Sequence, residues 1–156
     1  MLNCNNYKLE IIAGAGGTMF EKYVQLLKEN SLKITPQRLE ILRYLDEHKT
    51  HPTADEIYTE LKEKNPSLSK TTVYNSVEVL KDHKIIQVVT ISGVESRYDF
   101  KHGMHHHFLC EKCGKIIDID IECPNLEKVL EGGHKVEEVH GYFKGTCKKC
   151  LKKGEK

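Results

Sequence analysis

Between residues 20 and 82 the apolar side chains recur at three- and four-residue intervals, and capping residues punctuate the repeats. Phe20, Tyr23, Val24 and Leu27 predict a first helix that ends near Asn30. Thr35-Pro36 reads as an N-cap followed by proline at the first helical position, and Leu39, Leu42 and Leu45 supply the apolar stripe of the helix it opens. Thr53 with Glu56 three residues on is a capping box, continued by Ile57 and Leu61 and closed by Asn65-Pro66. Ser69 caps a fourth helix whose Val73, Val77 and Leu80 form one buried stripe. Its opposite face presents Thr71, Asn75 and Glu78, with Thr72 and Tyr74 on the flanks.

After Lys84 the pattern changes. Ile85 to Ile91 is a β-branched run, Ser92-Gly93 a turn, and Glu95 to Phe100 a returning strand. Helices followed by a two-stranded ribbon describe a winged helix-turn-helix, with the fourth helix as reader and the hairpin as wing. Further on, Ile117, Ile119 and Ile121 alternate with Asp118, Asp120 and Glu122, the signature of a half-buried strand over 116–122. Pro124 opens a short helix carrying Leu126, Val129 and Leu130, which Gly132-Gly133 stops; residues 136–143 predict one more strand. The fold class is therefore α+β. Residues 1–18 are expected to form a flexible N-terminal extension, 19–100 the winged-helix domain, and 101–156 a small α/β dimerisation domain, with the boundary near Phe100–Met104.

Charge changes this picture little. The net charge of the 156-residue chain is +1, with 13 basic and 14 acidic side chains in residues 1–100. Any DNA contact must come from a local patch rather than from bulk charge. The apolar run Ile11-Ile12-Ala13 is too short for a secretory core, and no window is long enough for a membrane helix. A cytoplasmic protein with reduced thiols and no membrane partner is expected.

The cysteines and histidines change it more. Cys110-Glu-Lys-Cys113 and Cys147-Lys-Lys-Cys150 are paired CxxC motifs separated by 33 residues, which suits a closed tetrahedral zinc site rather than a redox pair. Cys4 and Cys123 have no such partner. In the run Met104-His105-His106-His107, residues two apart project to one side of an extended chain, so His105 and His107 form the chelating pair and His106 lies at the surface or behind the ligands. Together with Asp99 they offer imidazole and carboxylate, donors for iron or manganese. The remaining histidines, His51 included, carry no signal in their spacing. Ser69, Lys70, Thr71, Thr72, Tyr74 and Asn75 place hydroxyls, a cation and an amide on the reader helix, suited to phosphates and base edges.

Taken in order, Thr35-Pro36-Gln37-Arg38, His51-Pro52-Thr53-Ala54-Asp55-Glu56-Ile57-Tyr58, Thr72-Val73-Tyr74, Arg97-Tyr98-Asp99, His105-x-His107-x-x-Cys110-x-x-Cys113-Gly114-Lys115 and Gly145-x-Cys147-x-x-Cys150 resemble the ferric uptake regulator family over Met19 to Leu151. The resemblance implies a homodimeric, metal-dependent repressor that binds operator DNA, with Arg38 joining the reader-helix contacts and the C-terminal domain dimerising. It implies structural Zn(II) on Cys110, Cys113, Cys147 and Cys150. It also implies a regulatory Fe(II) or Mn(II) site on His51, Asp99, His105, His107 and Asp118, and so selects Asp118 over Asp120. Iron-responsive members usually carry glutamate where this chain has Asp99 and Asp118. Peroxide-responsive members carry aspartate at both and often asparagine after Val-Tyr, as at Asn75. In that branch peroxide oxidises one of two ligand histidines, which correspond to His51 and His105. An additional histidine/acid site of some iron regulators would need a histidine near Met104 and a glutamate near Asn125, and neither is present. The alternatives are an iron-responsive repressor, a zinc, manganese or nickel sensor, a zinc-stabilised interaction module, and a metalloenzyme. Five protein ligands leave little room for a small-molecule substrate and no nucleophile or general base is at hand, so no enzymatic activity is expected.

Overall fold

The computed structural model describes residues 19–91, 93, 95–100, 105–121, 126–136, 139 and 141–154. The expectations for the extension 1–18, His102, Cys123, Pro124 and His140 lie outside these residues, as does Ser92 of the expected turn. The described chain divides into two compact units, one running to residue 100 and the other beginning at residue 105.

The first unit is four helices and a ribbon: α1 (Met19–Glu29), α2 (Pro36–Glu47), α3 (Ala54–Lys64), α4 (Lys70–Asp82), β1 (Ile86–Val89) and β2 (Arg97–Phe100). The capping residues act as their chemistry dictates. The Thr35 hydroxyl accepts from the amide of Arg38 and the Ser69 hydroxyl from that of Thr72. The Thr53–Glu56 box is reciprocal, with the Thr53 amide donating to Glu56 at 2.7 Å and the Glu56 amide to Thr53 at 3.1 Å. The core is the apolar stripe of each helix: Tyr23 and Leu27, Leu42 and Leu45, Ile57 and Leu61, Val73, Val77 and Leu80, closed by Ile86 and Phe100 of the ribbon. Phe20, expected on the first helix's apolar face, is 48% exposed. The ribbon is antiparallel, pairing Gln87 with Asp99 and Val88 with Tyr98. Its strands are shorter than the β-branched run suggests, and Gly93 takes a left-handed φ of 71° in the connection.

The second unit is a three-stranded sheet with two short helices: β3 (His106–Cys110), β4 (Ile116–Ile119), α5 (Leu126–Glu131), β5 (Tyr142–Gly145) and α6 (Lys148–Gly154). The strand order is β4-β3-β5, with β3 antiparallel to β4 and parallel to β5. Two expectations are revised. The final strand begins at Tyr142 rather than at 136, and Ile117, assigned to the covered face of its strand, is 39% exposed whereas Ile116 is buried. Tyr142, Phe143 and Ile121 are similarly open, so this unit keeps a broad apolar surface. No helix among the described residues is long and apolar enough to cross a membrane.

Candidate metal centres and nucleic-acid interface

The turn Cys110–Cys113 leaves β3, and α6 begins directly after Cys147, so the β3–β5 register delivers both CxxC pairs to one end of the sheet. Cys110 pairs with Gly145 across the parallel ladder, the Glu111 amide donates to the Gly145 carbonyl at 2.7 Å, and the Cys147 amide donates to the Cys110 sulfur at 3.2 Å. Gly114 closes the turn with a φ of 69°, a left-handed conformation suited to glycine. The four sulfurs lie within 4.8 Å of one another, with Cys113 and Cys147 3.9 Å apart and none of the four in a disulfide. Four sulfurs around one zinc at about 2.3 Å stand about 3.8 Å apart, so the donor set fits that ion. Backbone amides, first that of Cys147, bring the Cys110 thiol down to about 6, while sharing with the sulfurs of Cys147 and Cys113 pushes Cys150 up to about 12. Of these two, Cys110 is the readier to bind a metal as thiolate, and Cys150 sheds its proton when one binds.

The imidazole–carboxylate donors form a set in each unit. In the first unit His51 and Asp99 are 1% and 4% exposed, and their Nε2 and Oδ1 atoms stand 3.9 Å apart. In the second, Asp118 Oδ1 lies 3.8 Å from His105 Nε2 and 3.9 Å from His107 Nε2, because β4 sets Asp118 directly opposite His107. These separations are long for a hydrogen bond. Each is within the roughly 4 Å that two donors of one ion at about 2.0–2.2 Å can span, so no pair stands too far apart to share an ion. Both sets therefore fit a divalent ion. His106 points away from its neighbours as the alternation requires, but it is 3% exposed rather than at the surface, with its ring against Gly141.

Arg97, Tyr98, Thr53 and Gln87 position the first set. His51 has a left-handed backbone, φ 52°, which for a residue other than glycine costs about 1–3 kcal/mol and needs outside support. Arg97 supplies it, donating to the His51 carbonyl at 2.9 Å, with Glu56 3.3 Å from the same guanidinium nitrogen. The Tyr98 amide donates to the Pro52 carbonyl at 2.9 Å and Thr53 bridges to Arg97, so the His51 loop is fastened along β2, the strand that carries Asp99. Gln87, opposite Asp99 in the ribbon, donates to Asp99 Oδ2 at 2.9 Å and leaves Oδ1 toward His51. Nothing in the spacing of Gln87 marks it. Its register against Asp99 is the signal, and the turn read at Ser92-Gly93 misses it by one residue, since a two-residue turn there would set Gln87 opposite Tyr98.

On α4, Lys70, Thr71, Tyr74 and Asn75 are exposed, whereas Val73 and Val77 are buried. Ser69 and Thr72 are engaged in the cap, their hydroxyls 2.7 Å apart. Arg38 folds back to donate to the Lys33 carbonyl at 2.6 Å.

A sequence profile of the ferric uptake regulator family matches residues 29–142. Among curated proteins, the chain is 40% identical over 139 residues to the peroxide-responsive repressor PerR of Staphylococcus epidermidis, covering 86% of this chain and 91% of that protein. The Staphylococcus aureus protein of the same name is 39% identical over 136 residues, with coverages of 85% and 92%. Among solved structures, the peroxide stress regulator of Campylobacter jejuni superposes with a TM-score of 0.66 at 32% identity, covering 81% of this chain and 98% of that one. The ferric uptake regulator Fur of Helicobacter pylori, described as having three functional metal-binding sites, superposes with a TM-score of 0.68 at 26% identity, covering 86% and 95%.

Proposed function

The chain belongs to the ferric uptake regulator family, and from that premise we propose that it is a metal-dependent, DNA-binding transcriptional repressor that responds to peroxide. The observation that carries the reading is the pair of buried or half-buried imidazole–carboxylate sets, both built on aspartate, beside a separate four-cysteine cluster. In this proposal His51 and Asp99 of one unit and His105, His107 and Asp118 of the other are ligands of a single regulatory ion. The free energy of binding an ion that needs donors from both units is then available to fix their relative orientation. Zn(II) on Cys110, Cys113, Cys147 and Cys150 has a structural role. Two copies associate through the second unit, and the support for this is its open apolar surface of Ile117, Ile121, Tyr142 and Phe143. The operator contacts are Arg38, Ser69, Lys70, Thr71, Thr72, Tyr74 and Asn75. In that role Ser69 and Thr72 chiefly hold the start of α4 in shape, and the exposed side chains meet the duplex.

Bound Fe(II) supplies the reduction of hydrogen peroxide that oxidises a neighbouring imidazole, chemistry that Mn(II) does not supply at the same donors. The chain's own part would be to present ring nitrogens of His51 and His105 to the ion and to keep one oxygen of Asp99 turned toward His51. Gln87 does this by donating to the other oxygen of Asp99. Oxidation of a ligand histidine would remove a donor from the set and, with it, the tie between the units that this proposal places on the ion.

The test uses the full chain loaded with Fe(II) or Mn(II), a duplex selected from a random-sequence library by the manganese-loaded protein, fluorescence anisotropy, and peptide mass spectrometry. Both metal forms are expected to bind. Mild peroxide is expected to release the duplex from the iron form alone and to add one oxygen atom to His51 or His105. Iron-loaded protein that stays unmodified and bound under peroxide would replace this reading with an iron-responsive repressor.

A further inference from the structure

Two of the exposed side chains on α4 are held by one acid from the neighbouring helix. Lys70 Nζ lies 2.6 Å from Asp55 Oδ1, the Tyr74 hydroxyl donates to the same carboxylate, and Lys70 Nζ sits 5.6 Å from the centre of the Tyr74 ring. Asp55 and Lys70 are each 56% exposed, so the group stands open to solvent. Asp55 belongs to the first turn of α3, where the helix dipole favours its charge and the Thr53–Glu56 box already satisfies the cap. It is therefore not needed to start its own helix, and its carboxylate is aimed across to the start of α4. The paired cation and hydroxyl hold that carboxyl below the usual carboxylate range. A carboxylate gripped by a lysine and a tyrosine has the chemistry of a phosphate oxygen gripped by the same two groups.

We propose that Asp55 is a specificity-determining residue that stands in for a DNA phosphate: it positions Lys70 and Tyr74 and withholds the Lys70 charge from any duplex that cannot displace it. The inference rests on the DNA-binding reading. A random duplex offers only its phosphates, and to use Lys70 it must break an existing ion pair and leave Asp55 facing the backbone. An operator adds base-edge contacts that offset this penalty. Because an exposed ion pair is weak, the exchange is readily reversible. Lys70 is already neutralised within the protein, so it contributes little counterion release when it meets a phosphate.

The experiment compares wild type, Asp55→Asn, Lys70→Gln and the double variant, all full length and Mn(II)-loaded. Each is measured on the library-selected duplex and on a random duplex across a range of salt. Asparagine keeps the shape and removes the charge, and Lys70→Gln gives an independent reading should Asp55→Asn not fold. Asp55→Asn is expected to tighten random-duplex binding by about three- to ten-fold at low salt and to steepen its salt slope by about one unit. The selected duplex gains less, so the ratio between the two falls. Lys70→Gln alone is expected to change the slope little, whereas in the Asp55→Asn background it removes the added unit. An unchanged or weakened random affinity in Asp55→Asn would overturn the proposal, as would a Lys70→Gln effect of a full unit in the wild-type background. In either case the DNA-binding reading stands. Wild-type protein that binds no duplex in any metal form would overturn that reading and the role of Asp55 together.

Discussion

His51 is a residue whose importance lies in its backbone. Its left-handed conformation turns the ring toward Asp99, and the carbonyl that this exposes is taken by Arg97. Arg97→Met should let the loop relax, lowering Mn(II) affinity by about ten- to a hundred-fold while the zinc content and the fold of the second unit persist. Isothermal titration with Mn(II) and zinc analysis check this, and unchanged affinity would show that the loop holds itself. The spacing of the histidines could not single out His51, because its conformation is imposed by an arginine 46 positions away. The four zinc-type cysteines were legible for the opposite reason. Each CxxC pair is chelating over its own few residues, and only the joining of the pairs depends on the fold.

At the scale of elements, the four helices could be read because their signals are local: a cap, an apolar stripe, a stop. The strands of the second unit could not be read as well, since which face is covered depends on what packs there. The alternation around Asp118 points Ile117 inward, yet a three-stranded sheet leaves that side open in a single copy. His106 shows the converse, a polar residue covered because a glycine makes room. A Cβ on Gly141 would stand 2.2 Å from the His106 ring, while the Gly141 carbonyl accepts from the His107 amide at 2.9 Å. Gly141→Ala must therefore displace either the ring or the strand that bears the two chelating histidines. It is expected to destabilise the second unit by about 1–3 kcal/mol and to weaken Mn(II) binding, with chemical denaturation and metal titration as the checks. A substitution that leaves both unchanged would show that the ring swings clear.

For the molecule as a whole, Cys113→Ser should remove one zinc equivalent, unfold the second unit and abolish dimerisation, leaving the first unit's helices intact by circular dichroism. A folded, dimeric variant that retains its zinc would refute the four-cysteine assignment. The parallel pairing of β3 with β5 gives this cluster a kinetic meaning as well. Cys110 and Cys147, 37 positions apart, must be brought together before the parallel ladder can form, and closing a loop of that length carries an entropic penalty ahead of any reward. An ion captured by both CxxC turns in the unfolded chain shortens the search by tying the loop at its neck. Newly made chains should then mature at a rate set by free zinc, so that a cell short of zinc accumulates unassembled repressor whatever its iron or peroxide.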